Sequence, residues 1–175
     1  ARDAPLLRVD ASSLGRLCRC LGGLPSVHEL AQRLPRILAH GEGGHIVNTA
    51  SIAGMSENCR PIYGASKFAV VGMSEALKGE LADTNVGISV LAPWLVTTAI
   101  WHPDLDDSNT DAIDARHDRL RKNPAFVSPE VVGEYVVDAI RRDAFYIFSD
   151  GDATRDILQK RHDDIMGDLE QQFRP

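Results

Sequence analysis

The sequence predicts an α/β protein with a parallel sheet, and three observations carry that reading. Apolar residues recur at three- and four-residue intervals over 14–40, 61–83 and 128–140, the period of one helix face. Short apolar runs at 45–49, 87–92 and 145–148 fall between or after those stretches. Glycine or proline punctuates most of the junctions. Helices alternating with short buried strands build parallel sheets with the helices packed on them.

The first helix covers 14–40, with Leu21, Leu24, Val27, Leu30, Leu34, Ile37 and Leu38 along one face. Pro25 and Pro35 are poor interior residues and predict a break or kink near one of them. Gly41-Glu42-Gly43-Gly44 forces a turn into a buried strand over 45–49. The clearest helix spans 61–83. Pro61 suits its first turn, and Ala65, Phe68, Ala69, Gly72, Met73 and Ala76 make one small apolar face. A second strand over 87–92 ends at Pro93. Residues 97–127 are polar and irregular, and Pro103, Asn109 and Pro124 discourage one long helix. Ser128 as N-cap and Pro129 as first residue open another helix. A third strand at 145–148 and a charged C-terminal helix at 152–172 complete the chain.

At 175 residues, the chain is expected to form a single domain around one core. Its net charge of −6, with 19 dispersed Lys and Arg, argues against nucleic acid, which needs clustered positive charge. No apolar run approaches the ~20 residues that span a bilayer, so no membrane partner is expected. The N-terminal Ala1-Arg2-Asp3-Ala4-Pro5 has no apolar signal-peptide core. Cys18, Cys20 and Cys59 fit no zinc spacing and read as reduced thiols, which predicts a cytoplasmic location and no metal. His162-Asp163-Asp164 reads as a solvated helix face.

Tyr63 and Lys67 stand four residues apart on the 61–83 helix, which puts both side chains on one face. A free tyrosine, with a pKa near ~10, is a poor proton shuttle at neutral pH. An ammonium ~4 Å away favours the phenolate by up to ~4 kcal/mol at an effective dielectric of ~20. A phenol so placed can give or take a proton at a carbonyl or alcohol oxygen. Alone, Tyr-x-x-x-Lys is a common surface pair. The context sharpens it: Ser51 lies just past the C-terminal end of a buried strand, where ligands of open α/β sheets bind.

With Asn48-Thr49-Ala50-Ser51-Ile52-Ala53-Gly54, then Tyr63-x-x-x-Lys67, then Pro93-Trp94-Leu95-Val96-Thr97-Thr98, the chain closely resembles the short-chain dehydrogenase/reductase family. The resemblance runs from near residue 1 to the C-terminal helix. It implies a Rossmann-like, doubly wound parallel sheet, present in part, with three strands in this chain. It also implies an NAD(P)-dependent oxidoreductase that interconverts a secondary alcohol and a ketone by hydride transfer, with NAD or NADP as cofactor. Tyr63 is then the acid/base, and Ser51 orients and polarises the substrate oxygen. Lys67 assists Tyr63 and hydrogen-bonds the nicotinamide ribose. Pro93, the Val96 backbone and the Thr98 hydroxyl line the nicotinamide. Asn48 either holds the active-site backbone or satisfies local groups at a strand end. Residues 97–127 become the substrate loop for a small-molecule alcohol or ketone. The helices at 14–40 and 61–83 become the interface of a homodimer or homotetramer.

The sequence also departs from the family. It contains no Gly-rich turn between a strand and a helix; Gly41-x-Gly43-Gly44 precedes a strand and reads as a turn. The expected reading is a chain lacking the first βαβαβ half, on the order of 80–100 residues at ~30 per unit, which leaves a normally paired sheet edge exposed. The family's helical asparagine falls near Gly22 or Gly23, where no asparagine stands. Trp94 replaces the family's glycine and is expected to crowd the nicotinamide. The alternative is therefore a truncated, non-catalytic remnant that serves as a dimerisation or interaction module. A serine hydrolase is disfavoured, because Thr49-Ala50-Ser51-Ile52-Ala53 is no Gly-x-Ser-x-Gly elbow.

Overall fold

The computed structural model of the chain describes residues 25–57, 59–101 and 110–174. In chain order its elements begin with α1 (Pro25–His40), β1 (Gly44–Thr49) and a single 3-10 turn at Ile52–Gly54. Then come α2 (Pro61–Leu81), β2 (Val86–Ala92), the two-residue β3 (Leu95–Val96) and a second 3-10 turn at Ala99–Trp101. The rest is α3 (Thr110–Arg121), β4 (Phe126–Val127), α4 (Pro129–Arg141), β5 (Tyr146–Phe148) and α5 (Asp152–Gln172).

The main sheet has the order β1-β2-β5 and is parallel throughout. β2 is central and almost continuously buried, as a strand covered on both faces should be. It pairs from Gly44↔Val86 to Thr49↔Leu91 on one side and from Val90↔Tyr146 to Ala92↔Phe148 on the other. The alternation expected from the sequence is therefore present, with the three expected strands in one sheet. Among the described residues β1 is an edge strand, bordered by a cleft that Leu30, Arg33 and Ile37 of α1 also line.

One core joins Leu30 and Leu34 of α1, Val70, Val71 and Leu77 of α2, and Val86, Ile88 and Val90 of β2. Burying each of these larger aliphatic side chains contributes roughly 1.5–3 kcal/mol. That preference decides which stripe of α2 is buried. Its buried residues are Gly64, Val70, Val71, Met73, Ser74, Leu77 and Leu81, whereas Ala65, Gly72 and Ala76 face solvent. Two adjacent stripes of a helix can share the same period, and the larger side chains win the burial.

α1 runs through Pro35 without a break in its assignment. The part of the first helix expected before residue 25, with Cys18, Cys20, Gly22 and Gly23, lies outside the described residues. So do Pro103 and Asn109. The 97–127 stretch is less irregular than expected: it holds the twelve-residue α3, and β4 pairs with β3 through Leu95↔Phe126 and Val96↔Val127. Strands of two residues are too short to show a period. Ser128 caps α4 as predicted, its side chain accepting from the Val131 N–H at 3.5 Å. The Asp163 and Asp164 carboxylates sit in helical pairs with Gln159 and Lys160, four residues back. Among the described residues no helix is long and apolar enough to cross a membrane, and no group of three His, Cys, Asp or Glu could hold a metal ion.

Candidate active site

The C-terminal end of β1 sets the site. Beyond Thr49 the backbone keeps its register with the neighbouring strand: the Ala50 N–H donates to the Leu91 carbonyl at 2.8 Å and the Ile52 N–H to the Pro93 carbonyl at 3.0 Å. Ser51 lies between these bonds with extended backbone and caps the following 3-10 turn, its Oγ accepting from the Ala53 N–H at 3.2 Å. The acceptor side of the hydroxyl is thus used locally, and its proton is left to donate to a ligand oxygen.

α2 supplies the second wall. Pro61 starts the helix, and Tyr63 and Lys67 follow on the cavity side. The Lys67 ammonium donates to the Thr49 carbonyl at 3.4 Å and stands 5.7 Å from the centre of the Tyr63 ring. Cys59 has a free thiol that donates to the Ala53 and Ser56 carbonyls at 3.5 and 3.6 Å.

The two walls meet at Gly54. A Cβ there would stand 2.6 Å from the Lys67 carbonyl oxygen and 2.8 Å from its carbon. Because the obstacle is backbone, it cannot swing away. Only a glycine lets the Ser51 turn lie directly on the helical turn that carries Lys67. Asn48 holds the same junction from the strand side: its Nδ2 donates to the Ser74 Oγ at 3.0 Å, and Ser74 donates to the Val70 carbonyl at 2.8 Å. All three groups of that relay are buried. Sequence reasoning quoted Gly54 without a role and missed Ser74; a glycine three residues past the serine was the only available signal.

The third wall follows β2. Pro93, Trp94, Leu95, Val96 and Thr98 all line the cavity. Trp94 donates its backbone N–H to the Ser149 Oγ at 2.9 Å, and the β3–β4 pair clamps Leu95 and Val96. Trp101 closes this side: its indole N–H donates to the Val96 carbonyl at 2.7 Å, and its ring packs edge-on against Phe126 at 5.3 Å. Nothing in the sequence pattern marked Trp101.

The result is one cavity of about 760 Å³ that Ser51, Tyr63, Lys67, Pro93, Val96 and Thr98 all line. That volume lies within the roughly 300–1,000 Å³ of small-molecule sites. The three separate sequence motifs thus converge on one space. Trp94, the residue expected to crowd the nicotinamide, forms part of the wall of this cavity. An apolar wall with a few convergent hydroxyls suits a flat ring and a sugar hydroxyl. A phosphate cradle is a different matter. β5 runs through Ser149-Asp150-Gly151 into α5, but Asp150 itself accepts from the Ala153 N–H at 2.8 Å, leaving an anion poorly received there. The described residues fit the nicotinamide-ribose end of a dinucleotide and include no Gly-rich turn opening a helix.

The family profile of the short chain dehydrogenases matches residues 23–109, which contain all three motifs. The chain belongs to that family. The 1-deoxy-11-beta-hydroxypentalenate dehydrogenase of Streptomyces exfoliatus is 32% identical over 141 residues, 79% of this chain and 47% of the relative. Carbonyl reductase family member 4 of Xenopus tropicalis is 35% identical over 98 residues, 55% of this chain and 41% of that protein. A short chain dehydrogenase/reductase from Burkholderia phymatum, solved in complex with NAD, shares the fold with a TM-score of 0.65 at 30% identity, covering 79% of this chain and 54% of that one. The chain spans under half the length of these curated relatives.

Proposed function

We propose that this chain carries the proton-transfer site of an NAD(P)-dependent oxidoreductase that interconverts a secondary alcohol and a ketone. The observation that supports it is the convergence of Ser51, Tyr63 and Lys67 on one cavity with the Pro93–Thr98 wall. The NAD held by the Burkholderia phymatum neighbour supports the cofactor class. When bound, the nicotinamide supplies or accepts the hydride; the chain's own residues handle the proton and the geometry.

In this reading Ser51 donates its hydroxyl proton as a hydrogen bond to the substrate oxygen, fixing where that oxygen sits. Tyr63 gives its phenolic proton to the same oxygen when a ketone is reduced and takes it back when an alcohol is oxidised. The Lys67 ammonium stands 5.7 Å from the centre of the Tyr63 ring, and its bond to the Thr49 carbonyl keeps it on the β1 side of the cavity. Pro93, Val96 and Thr98 would hold the nicotinamide, with Tyr63 and Lys67 beside its ribose. The 97–127 segment would shape the substrate end as part of a single domain. A panel of ketones and secondary alcohols with NAD(H) and NADP(H), read by nicotinamide absorbance, tests the reading. Turnover that Ser51→Ala cuts by about 10²-fold or more is expected; no turnover with any pair would sink it.

One observation favours a second reading, a docking module without turnover. The exposed Ala65, Gly72 and Ala76 leave one side of α2 smooth, and small residues let helices approach closely. A homodimer or homotetramer through α1 and α2 belongs to either reading. Micromolar NAD(H) binding by the purified chain in calorimetry argues for the enzyme and against the module.

A further inference from the structure

Arg60, the residue before α2, lines the same cavity as Ser51 and Tyr63. Arg60 and Lys67 are the charged side chains on that wall, and no Asp, Glu or His of the described residues joins them. Lys67 is directed to the Thr49 carbonyl. Arg60, by contrast, enters none of the ion pairs among the described residues. The acid of its own loop, Glu57, is held by Lys160 of α5, which also pairs with Asp164 at 2.7 Å. Glu130, in the first turn of α4, is not among the residues that line the cavity. Among the described residues the wall therefore carries positive charge alone, and it offers an anion a guanidinium fork.

The remaining wall is apolar. Ile100 lines it with Trp94 and Trp101, and the bond to Val96 and the edge of Phe126 fix the plane of Trp101. A fixed indole face packs best against another flat or cyclic apolar group.

We propose that the substrate is an apolar, ring-bearing hydroxy acid or keto acid, its carboxylate paired with Arg60 and its rings against Trp101. The reacting alcohol or ketone in that description rests on the oxidoreductase reading; the carboxylate and the rings rest on the wall alone. The test is therefore binding without turnover. Both tryptophans of the chain, Trp94 and Trp101, line the cavity, so quenching of intrinsic fluorescence reports its occupancy. The full chain is titrated with naphthoate and with its neutral counterpart naphthamide. Naphthoate is expected to bind about tenfold tighter, as a charge-assisted contact supplies. Arg60→Gln brings the two probes to parity, Arg60→Lys keeps part of the preference, and Trp101→Ala weakens both. Equal affinities in the unmodified chain, no quenching by either probe, a preference that survives Arg60→Gln, or equal weakening of both probes by that substitution would each overturn the proposal. A loss of the catalytic reading alone leaves these binding results unchanged.

Discussion

Asn48 donates its side-chain amide to the Ser74 hydroxyl at 3.0 Å, tying the end of β1 to the middle of α2 with both side chains out of water. Ser74 has already given its proton to the Val70 carbonyl, so only a donor can satisfy it from the strand side. Asn48→Ala is therefore expected to cost about 1–3 kcal/mol, the range for an orphaned buried polar group. Ser74→Ala, which strands the Asn48 amide, should cost a similar amount. Because the two residues share one bond, the double variant should cost less than the sum of the singles. Urea unfolding of the four proteins checks this, and strict additivity would mean the bond contributes nothing.

Gly54 and Gly72 make a controlled comparison. A methyl at Gly54 meets the Lys67 backbone at 2.6 Å, whereas one at Gly72 meets nothing within 4 Å. Gly54→Ala should force the Ser51 turn off α2, costing about 1–3 kcal/mol of stability and roughly tenfold or more in kcat/KM, since misplacement near 1 Å can cost up to about 10²-fold. Gly72→Ala should stabilise the chain by about 0.5–1 kcal/mol through helix propensity without touching turnover. Thermal melts and steady-state kinetics on the pair separate the two effects.

Tyr146 predicts an alkaline signature. Burial, and then its 2.5 Å hydrogen bond to Glu75, push its phenol up to about 12. The folded value lies above the unfolded value near ~10. The contact therefore stabilises fully below that pH and is lost as pH climbs through about 12. Ultraviolet titration of phenolate should show a late phase near pH 12 that Tyr146→Phe abolishes and Glu75→Gln moves to lower pH. A titration unchanged by Glu75→Gln would remove the acid from the explanation.

Much of this molecule was legible before its structure. The three main strands, α2 and α5 follow from period and punctuation, because each is long enough or apolar enough to show them. That Ser51, Tyr63 and Lys67 would line one space could be read because one strand end and one helix turn fix their spacing. The β3–β4 pair could not, since two residues carry no period. Trp101 was missed for another reason: its place depends on the Val96 carbonyl and on Phe126, 25 residues further on, which no local pattern connects. Which side of α2 faces solvent was not legible, because its small alanine and glycine stripe and its stripe of larger residues share one period. The meaning of Gly54 needed the Lys67 backbone beside it.

The most direct test of the central claim is Tyr63→Phe, which removes one oxygen and leaves the ring on the cavity wall. With a ketone and cofactor pair that the unmodified protein turns over, kcat/KM should fall by about 10²–10⁴-fold, the scale of a lost general acid. Nicotinamide cofactor binding in calorimetry should hold within a few-fold. Turnover that stays within a few-fold of the unmodified protein would contradict the assignment of Tyr63 as the group that moves the proton.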